Sequence, residues 1–159
     1  MLIRIYTIVC MIVVLGGGIA RGQTNWPDFM ANLKPGESNS PFAAELPANT
    51  EITPPAVNLP PEKASWSGKW HGWACKDRVC DTKLAVETIS NEGAAIIYCF
   101  ASEREMFVRR VQAKFAGNEL RADIGGGASV VYRMRPDGNI DFMWMSGKRL
   151  ISGILSKEK

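Results

Sequence analysis

From Ser65 to the C-terminus the chain breaks into short segments of alternating apolar and polar residues, separated by Gly, Asn and Asp. Eight such segments follow one another: 66–75, 79–89, 94–101, 106–115, 119–124, 128–135, 139–145 and 150–155. The connections are short enough to be hairpins, and Pro136 with the Asp137-Gly138 pair fits a tight turn. No segment of helical periodicity separates the strands, which excludes parallel β-α-β units. A meander of eight strands has two edges to hide, and it hides them most simply by closing into an antiparallel up-and-down barrel. The alternative is a two-sheet sandwich, for which such uniform hairpins are less suited.

The alternation also defines an inside. On the first strand Gly68, Trp70, Gly72 and Ala74 share one face, and Ser67, Lys69 and His71 share the other. Leu84, Val86, Ile96, Tyr98, Leu120, Val130, Tyr132, Phe142, Trp144 and Ile154 follow as interior positions. An eight-stranded barrel is just wide enough to be filled by side chains or to hold one small ligand. Trp70, Tyr98, Tyr132 and Trp144 are therefore both the bulk that fills the lumen and the candidate ligand-binding residues.

Two other segments precede the barrel. Residues 1–22 combine Arg4, an apolar run over 5–15 and a small, flexible end, which is the anatomy of a secretory signal peptide cleaved after Gly22 or, second, after Ala20. The run is short for a membrane span, so the chain meets a membrane only if this segment is uncleaved. Residues 23–64 hold eight of the nine prolines. Proline removes a backbone donor and fixes φ, so this stretch reads as a proline-rich flexible linker, partly polyproline II, ahead of a barrel domain over 65–157. Within it, Trp26, Phe29, Met30 and Leu33 have helical spacing and predict a turn or two of helix starting at Pro27.

Charge and chemistry narrow the function. The formal charge is +3, and without Arg4 and Arg21 it falls to +1, which leaves no electrostatic footprint for nucleic acid. Arg109, Arg110, Lys114, Arg133 and Arg135 concentrate on two strands and read as a solvated outer face, or as a patch for an anion or partner at one rim. There is one histidine, His71, so multi-histidine zinc sites are excluded, and no Gly-x-Ser-x-Gly elbow is present for a serine triad. Gly125–Gly127 lacks a phosphate-loop lysine and a following helix. No metal or other cofactor is expected, and no catalytic constellation is present. Of the cysteines beyond the leader, Cys75 and Cys80 flank a hairpin turn and predict a disulfide suited to an oxidising compartment. Their face parities differ, so the pairing needs a bulge near Gly72 or in the turn itself. Cys99 is left as a small core-side thiol.

The opening strand reads Trp66-Ser67-Gly68-Lys69-Trp70-His71-Gly72. A Gly-x-Trp at the start of an eight-stranded meander resembles the calycin superfamily of lipocalins, fatty-acid-binding proteins, avidins and bacterial protease inhibitors. The resemblance implies that Gly68 bends the strand at the closed end and Trp70 plugs it. Ser67-Gly68-Lys69-Trp70 followed by Cys80-Asp81-Thr82-Lys83-Leu84 is closest to the secreted metalloprotease-inhibitor barrels, which would pair Cys80 with Cys99 and send an N-terminal arm into a protease. The barrel also resembles a small accessory domain ahead of secreted bacterial hydrolases. The expectation is a secreted or periplasmic, non-enzymatic binding module for a small apolar or amphipathic ligand or a protein partner at the barrel mouth. The alternative is a periplasmic inhibitor of a secreted protease.

Overall fold

A computed structural model describes residues 24–159. The expected leader, 1–22, lies outside the described residues. Eight strands form one closed antiparallel barrel, each paired with its sequence neighbours and the last with the first. They are β1 (Gly68–Ala74), β2 (Cys80–Ile89), β3 (Gly93–Ala101), β4 (Met106–Ala116), β5 (Glu119–Gly125), β6 (Ala128–Met134), β7 (Ile140–Ser146) and β8 (Arg149–Lys157). The up-and-down barrel is therefore the fold, and it is consistent with a calycin-like architecture.

The lumen is lined by the residues that alternation predicts. Trp70, Leu84, Val86, Ile96, Tyr98, Leu120, Val130, Tyr132 and Phe142 belong to one buried cluster, with Trp144 packed against it. Ile154 differs. It pairs with Asp141 and Trp73, which puts it on the outer wall, while its neighbour Leu155 points inward opposite Gly72 and Ile140. Alternation alone cannot choose between two adjacent apolar residues when the outer wall is also covered.

That cover is the proline-rich segment. Sequence reasoning expects a free spacer; residues 24–53 instead lie along the barrel wall as a strap. Thr24 and Trp26 donate to the Glu119 carboxylate, and the Arg133 guanidinium lies 4.3 Å over the Trp26 ring. Pro27 precedes a single 3₁₀ turn, Asp28–Asn32, which buries Met30 completely and leaves Phe29 half exposed. Arg135 donates to the Leu33 carbonyl and the Trp73 indole to the Lys34 carbonyl. Further on, the Ala44 N–H donates to Asp81 Oδ2 at 2.7 Å, while Asp81 Oδ1 is 2.8 Å from His71 Nε2. Ala44, Leu46 and Ile52 then pack on Ala85, Ile97, Cys99 and Ala101 of the outer wall. The strap's backbone groups find partners on the barrel, and its prolines reduce the freedom lost on pinning it.

Cys99 thus sits under the strap on the outer wall, not on the lumen side. Burial pushes its thiol up to about 11, with Lys83 opposing the shift. A thiol held protonated in the folded state favours folding below the ordinary thiol range, and this advantage disappears as pH rises through about 11. Between roughly pH 9 and 11 the protein is expected to lose about 2–3 kcal/mol that a Cys99→Ala variant keeps. Urea denaturation of both across that range checks this, and parallel pH curves would refute it.

The disulfide joins Cys75 and Cys80. The β1–β2 ladder runs without a bulge from Gly68 opposite Val86 to Ala74 opposite Cys80. Parity is reconciled in the turn: Cys75 has φ 68°, a backbone reversal that brings its side chain to the inner rim, and Asp77 and Arg78 also have positive φ. Loop closure over so short a loop stabilises the fold by about 2 kcal/mol. A Cys75→Ala/Cys80→Ala double variant is expected to lose that amount in chemical denaturation, and an unchanged midpoint would count against it.

Candidate functional site

The two ends of the barrel differ. At the end where β1 begins, the short helix α1 (Pro61–Ala64) and the following residues form a plug. Trp66 is buried edge-on to Phe115. The Trp70 indole N–H is satisfied by the Trp66 carbonyl at 2.9 Å. Lys63 lies over the Phe115 ring and Lys157 over the Trp70 ring, and burial lowers the pKa of both amines. Trp70 is thus a closing residue whose one donor is used.

Above the plug the lumen is filled. Tyr132 contacts Phe142, Phe142 contacts Tyr98, Tyr98 contacts Phe107, and Phe107 stacks on Phe100, with centroids 5.4–5.5 Å apart. The four residues singled out from the sequence therefore do not form one site. Trp70 closes the far end, Tyr98 and Tyr132 sit in the packed middle on either side of Phe142, and Trp144 is half-buried nearer the opening. Burial raises the pKa of both phenols well above the ordinary value, so they remain neutral donors. Among the described residues, the Tyr132 hydroxyl and the Trp144 indole N–H are buried without a hydrogen-bond partner. An unpaired buried polar group costs about 1–3 kcal/mol, so each needs a reason.

The other end is open. A cleft of about 660 Å³ lies over the last ring of the aromatic chain. Phe100, Ile151, Val79 and the Cys75–Cys80 bridge give it apolar walls, Phe42 and Pro41 of the strap close one side, and Ser102–Glu105 with Arg149 form a polar rim. Phe42, Val79, Met106 and Leu150 are large apolar side chains left exposed around this end.

The wall beside the mouth is incomplete. β3 and β4 pair along nine positions, whereas β4 and β5 pair only at Lys114–Ala116 with Glu119–Arg121. From Phe107 to Val111 of β4 the inward-register residues are only half-buried, as Phe107 and Val111 are, or exposed, as Arg109 is. Arg109 lies opposite Tyr98, which places it on the inner face, with its guanidinium 5.6 Å from the Phe107 ring. The expected arginine face is thereby divided. Arg110 binds Glu87, Arg133 and Arg135 hold Asp141, and Arg109 belongs to the lumen side. Sequence reading missed this, although Arg109 shares parity with Phe107, Val111 and Phe115.

His71 is committed to Asp81, whose other oxygen accepts from Ala44 of the strap. Among the described residues, no cluster of three or more His, Cys, Asp or Glu side chains is placed to hold a metal ion, and no helix is long and apolar enough to cross a membrane. No known protein family, curated protein or solved structure matches the chain.

Proposed function

We propose that the protein is a secreted or periplasmic, non-enzymatic binding module that holds a small apolar or amphipathic molecule at the barrel mouth. The observation that carries this reading is the apolar cleft at the open end of a barrel plugged at its other end. Pockets of this kind, apolar with a few converging polar groups, are where small ligands bind. The Cys75–Cys80 disulfide supports export into an oxidising compartment.

The inhibitor reading has weaker support. The exposed apolar ring around the mouth suits a protein partner. However, the pairing implied by the inhibitor resemblance, Cys80 with Cys99, is replaced by Cys75–Cys80, and residues 24–53 lie on the barrel wall. Among calycin-like barrels, the accessory-domain resemblance therefore fits better.

The test uses the neutral fluorophore N-phenyl-1-naphthylamine titrated with the protein. Saturable binding is expected, with at least tenfold loss of affinity in Ile151→Glu, which puts a charge in the cleft wall. No saturable signal at about 100 µM protein, a ceiling of roughly −5.5 kcal/mol, would overturn the small-ligand reading. Inhibition of secreted proteases at micromolar concentration would then favour the alternative.

A further inference from the structure

Strand β4 carries an open main-chain edge along the barrel wall. Its ladder with β3 runs from Met106 to Lys114, but its ladder with β5 ends at Lys114. In an antiparallel ladder successive residues turn their N–H and C=O groups to alternate sides. The Ser102 N–H donates to the Glu105 carbonyl and the Phe115 N–H to the Glu92 carbonyl, which fixes that alternation: odd-numbered residues of β4 face β3. Met106, Val108, Arg110 and Gln112 therefore turn their backbone groups to the β5 side, where no ladder receives them. Side chains at both margins of the opening answer this locally. Arg109 Nη1 donates to the Val108 carbonyl at 2.9 Å, and on β5 the Gly125 N–H donates to Asp123 Oδ1 at 2.7 Å. The side chains of the same four β4 residues form an outward row that is exposed throughout, and its two apolar members, Met106 and Val108, are 61% and 41% accessible.

An unpaired edge is a template for a further strand, and proteins guard such edges with charge. The charges here decide between occupants. From Met106 to Lys114 the charged side chains are Arg109, Arg110 and Lys114, with no acid among them. Arg110 is held by Glu87, whereas Arg109 and Lys114 have no carboxylate partner among the described residues. Glu103 and Glu105 precede the edge in the β3–β4 turn, with Arg104 between them, and Asp123 lies across the opening, engaged with Gly125. A second copy pairing along the same edge brings the Arg109–Arg110 pairs of two strands together, and like charges on facing strands are destabilising. An acidic strand meets no such penalty. We infer that β4 takes up an extended acidic segment of another protein as an added strand, bonded main chain to main chain at Val108, Arg110 and Gln112. The incoming N–H replaces the Arg109 guanidinium at the Val108 carbonyl, and the freed Arg109 is met by a carboxylate. In this mode main-chain bonds supply affinity, and side chains at alternate positions choose the partner. Met106 and Val108 favour β-branched residues between the acids. Residues 106–114 do not line the mouth cleft, so this surface is separate from the small-ligand site.

The experiment uses three fluorescein-labelled, amidated peptides: acidic TVEVEVT, basic TVKVKVT, and the acidic peptide with its three central backbone nitrogens methylated. Methylation keeps the side chains and removes main-chain donors. Each is titrated against the full chain by fluorescence anisotropy, and amide exchange along β4 is followed by NMR. In the free protein the Val108, Arg110 and Gln112 amides are expected to exchange at least about tenfold faster than those of Phe107, Arg109 and Val111, which lie in the β3 ladder. The acidic peptide is expected to bind saturably with Kd below about 500 µM and to slow exchange of the first three, while the other two peptides bind at least about tenfold more weakly. Val108→Pro removes an edge donor and leaves the β3 ladder intact, since proline is tolerated where its missing N–H would face solvent. It is expected to weaken the acidic peptide at least about tenfold, and Val108→Thr by less than about threefold. Thermal unfolding checks that both variants are folded; if Val108→Pro is not, the methylated peptide on the wild type decides. No saturable binding at about 1 mM, equal binding of the basic or methylated peptide, or protection that falls away from 106–112 overturns the inference. So does self-association of the free protein that Val108→Pro abolishes, which assigns the edge to a second copy. None of these outcomes alters the fluorophore titration, so the small-ligand reading stands or falls separately.

Discussion

Replacing Gly72 with alanine is expected to cost about 3 kcal/mol or more and to open the barrel at its closing seam. A β-carbon at this position would lie 2.0 Å from the Ile154 carbonyl oxygen and 2.8 Å from the Leu155 Cα. Both are backbone atoms in the paired strand, so no side-chain rotation relieves the clash. Gly153 is the counterpart across the seam: its β-carbon would lie 2.0 Å from the Trp73 carbonyl oxygen. The two glycines therefore let β1 and β8 approach closely where the chain's first and last strands meet, over five paired positions. Forcing a methyl group into a packed interior ordinarily costs about 1–3 kcal/mol, and a clash against backbone lies at or beyond the upper end. Separating the strands also exposes two edges that closure had removed. Urea denaturation gives the size of the loss. Gly153→Ala is expected to behave alike, and the double variant to fall short of the sum, because both act on one seam. A loss below about 1 kcal/mol in either single variant would show that the seam is looser than its geometry implies.

The barrel was legible because its signal is repeated eight times. Each strand carries its own alternation and each turn its own Gly, Asn or Asp, so the chain encodes pairing locally and closure follows from the need to hide edges. The inner face was legible for the same reason: Tyr98, Tyr132 and Phe142 stand at predictable positions. Assigning one site to Trp70, Tyr98, Tyr132 and Trp144 went beyond that signal. Alternation places residues on a face but says nothing of height along the barrel, and these four span it from the plug to the mouth. Arg109 was within reach, since parity alone sets it beside Phe107, but five cations on two strands invited a single outward reading.

The strap was not legible, because proline has two meanings. It forbids helix and ladder, which suggests a spacer, and it also lowers the entropy of the unfolded chain, which favours being pinned. The deciding information is on the barrel. Ala85, Ile97, Cys99, Ala101, Met143 and Ile154 are buried at outward positions, and a wall that is apolar on both faces calls for a cover. Consecutive apolar residues in AAIIYCFA were the available clue, since alternation assigns only Ile96 and Tyr98 of that run to the lumen.

An Asp141→Ala variant is expected to lose about 3 kcal/mol and to release the first part of the strap. Asp141 is almost fully buried on the outer wall, where one oxygen accepts from Arg133 at 2.6 and 3.2 Å and the other from Arg135 at 3.3 Å. Without the carboxylate, two guanidinium groups are left beside each other. Breaking a buried ion pair from one side costs about 3–5 kcal/mol, and the partial exposure of both arginines argues for the lower end. The damage extends to the strap, since Arg133 carries the Trp26 ring and Arg135 binds the Leu33 carbonyl. Glu119 keeps its own hold there. Burial alone would raise its pKa, but the hydrogen bonds from Trp26, Thr24 and Arg121 outweigh burial and hold it below the usual carboxylate range. Its contribution is therefore present at neutral pH and is lost as pH falls through that lowered value. Limited chymotrypsin digestion reads the two holds separately. At neutral pH, cleavage after Phe29, in the part of the strap that Arg133 and Arg135 hold, is expected to accelerate in Asp141→Ala while the barrel resists. The strap is held at separate points, so residues 44–53 are expected to stay bound through Asp81 and the outer-wall cluster. Equal cleavage rates in wild type and variant, or a stability loss under about 1 kcal/mol, would mean that Asp141 does not join strap to barrel.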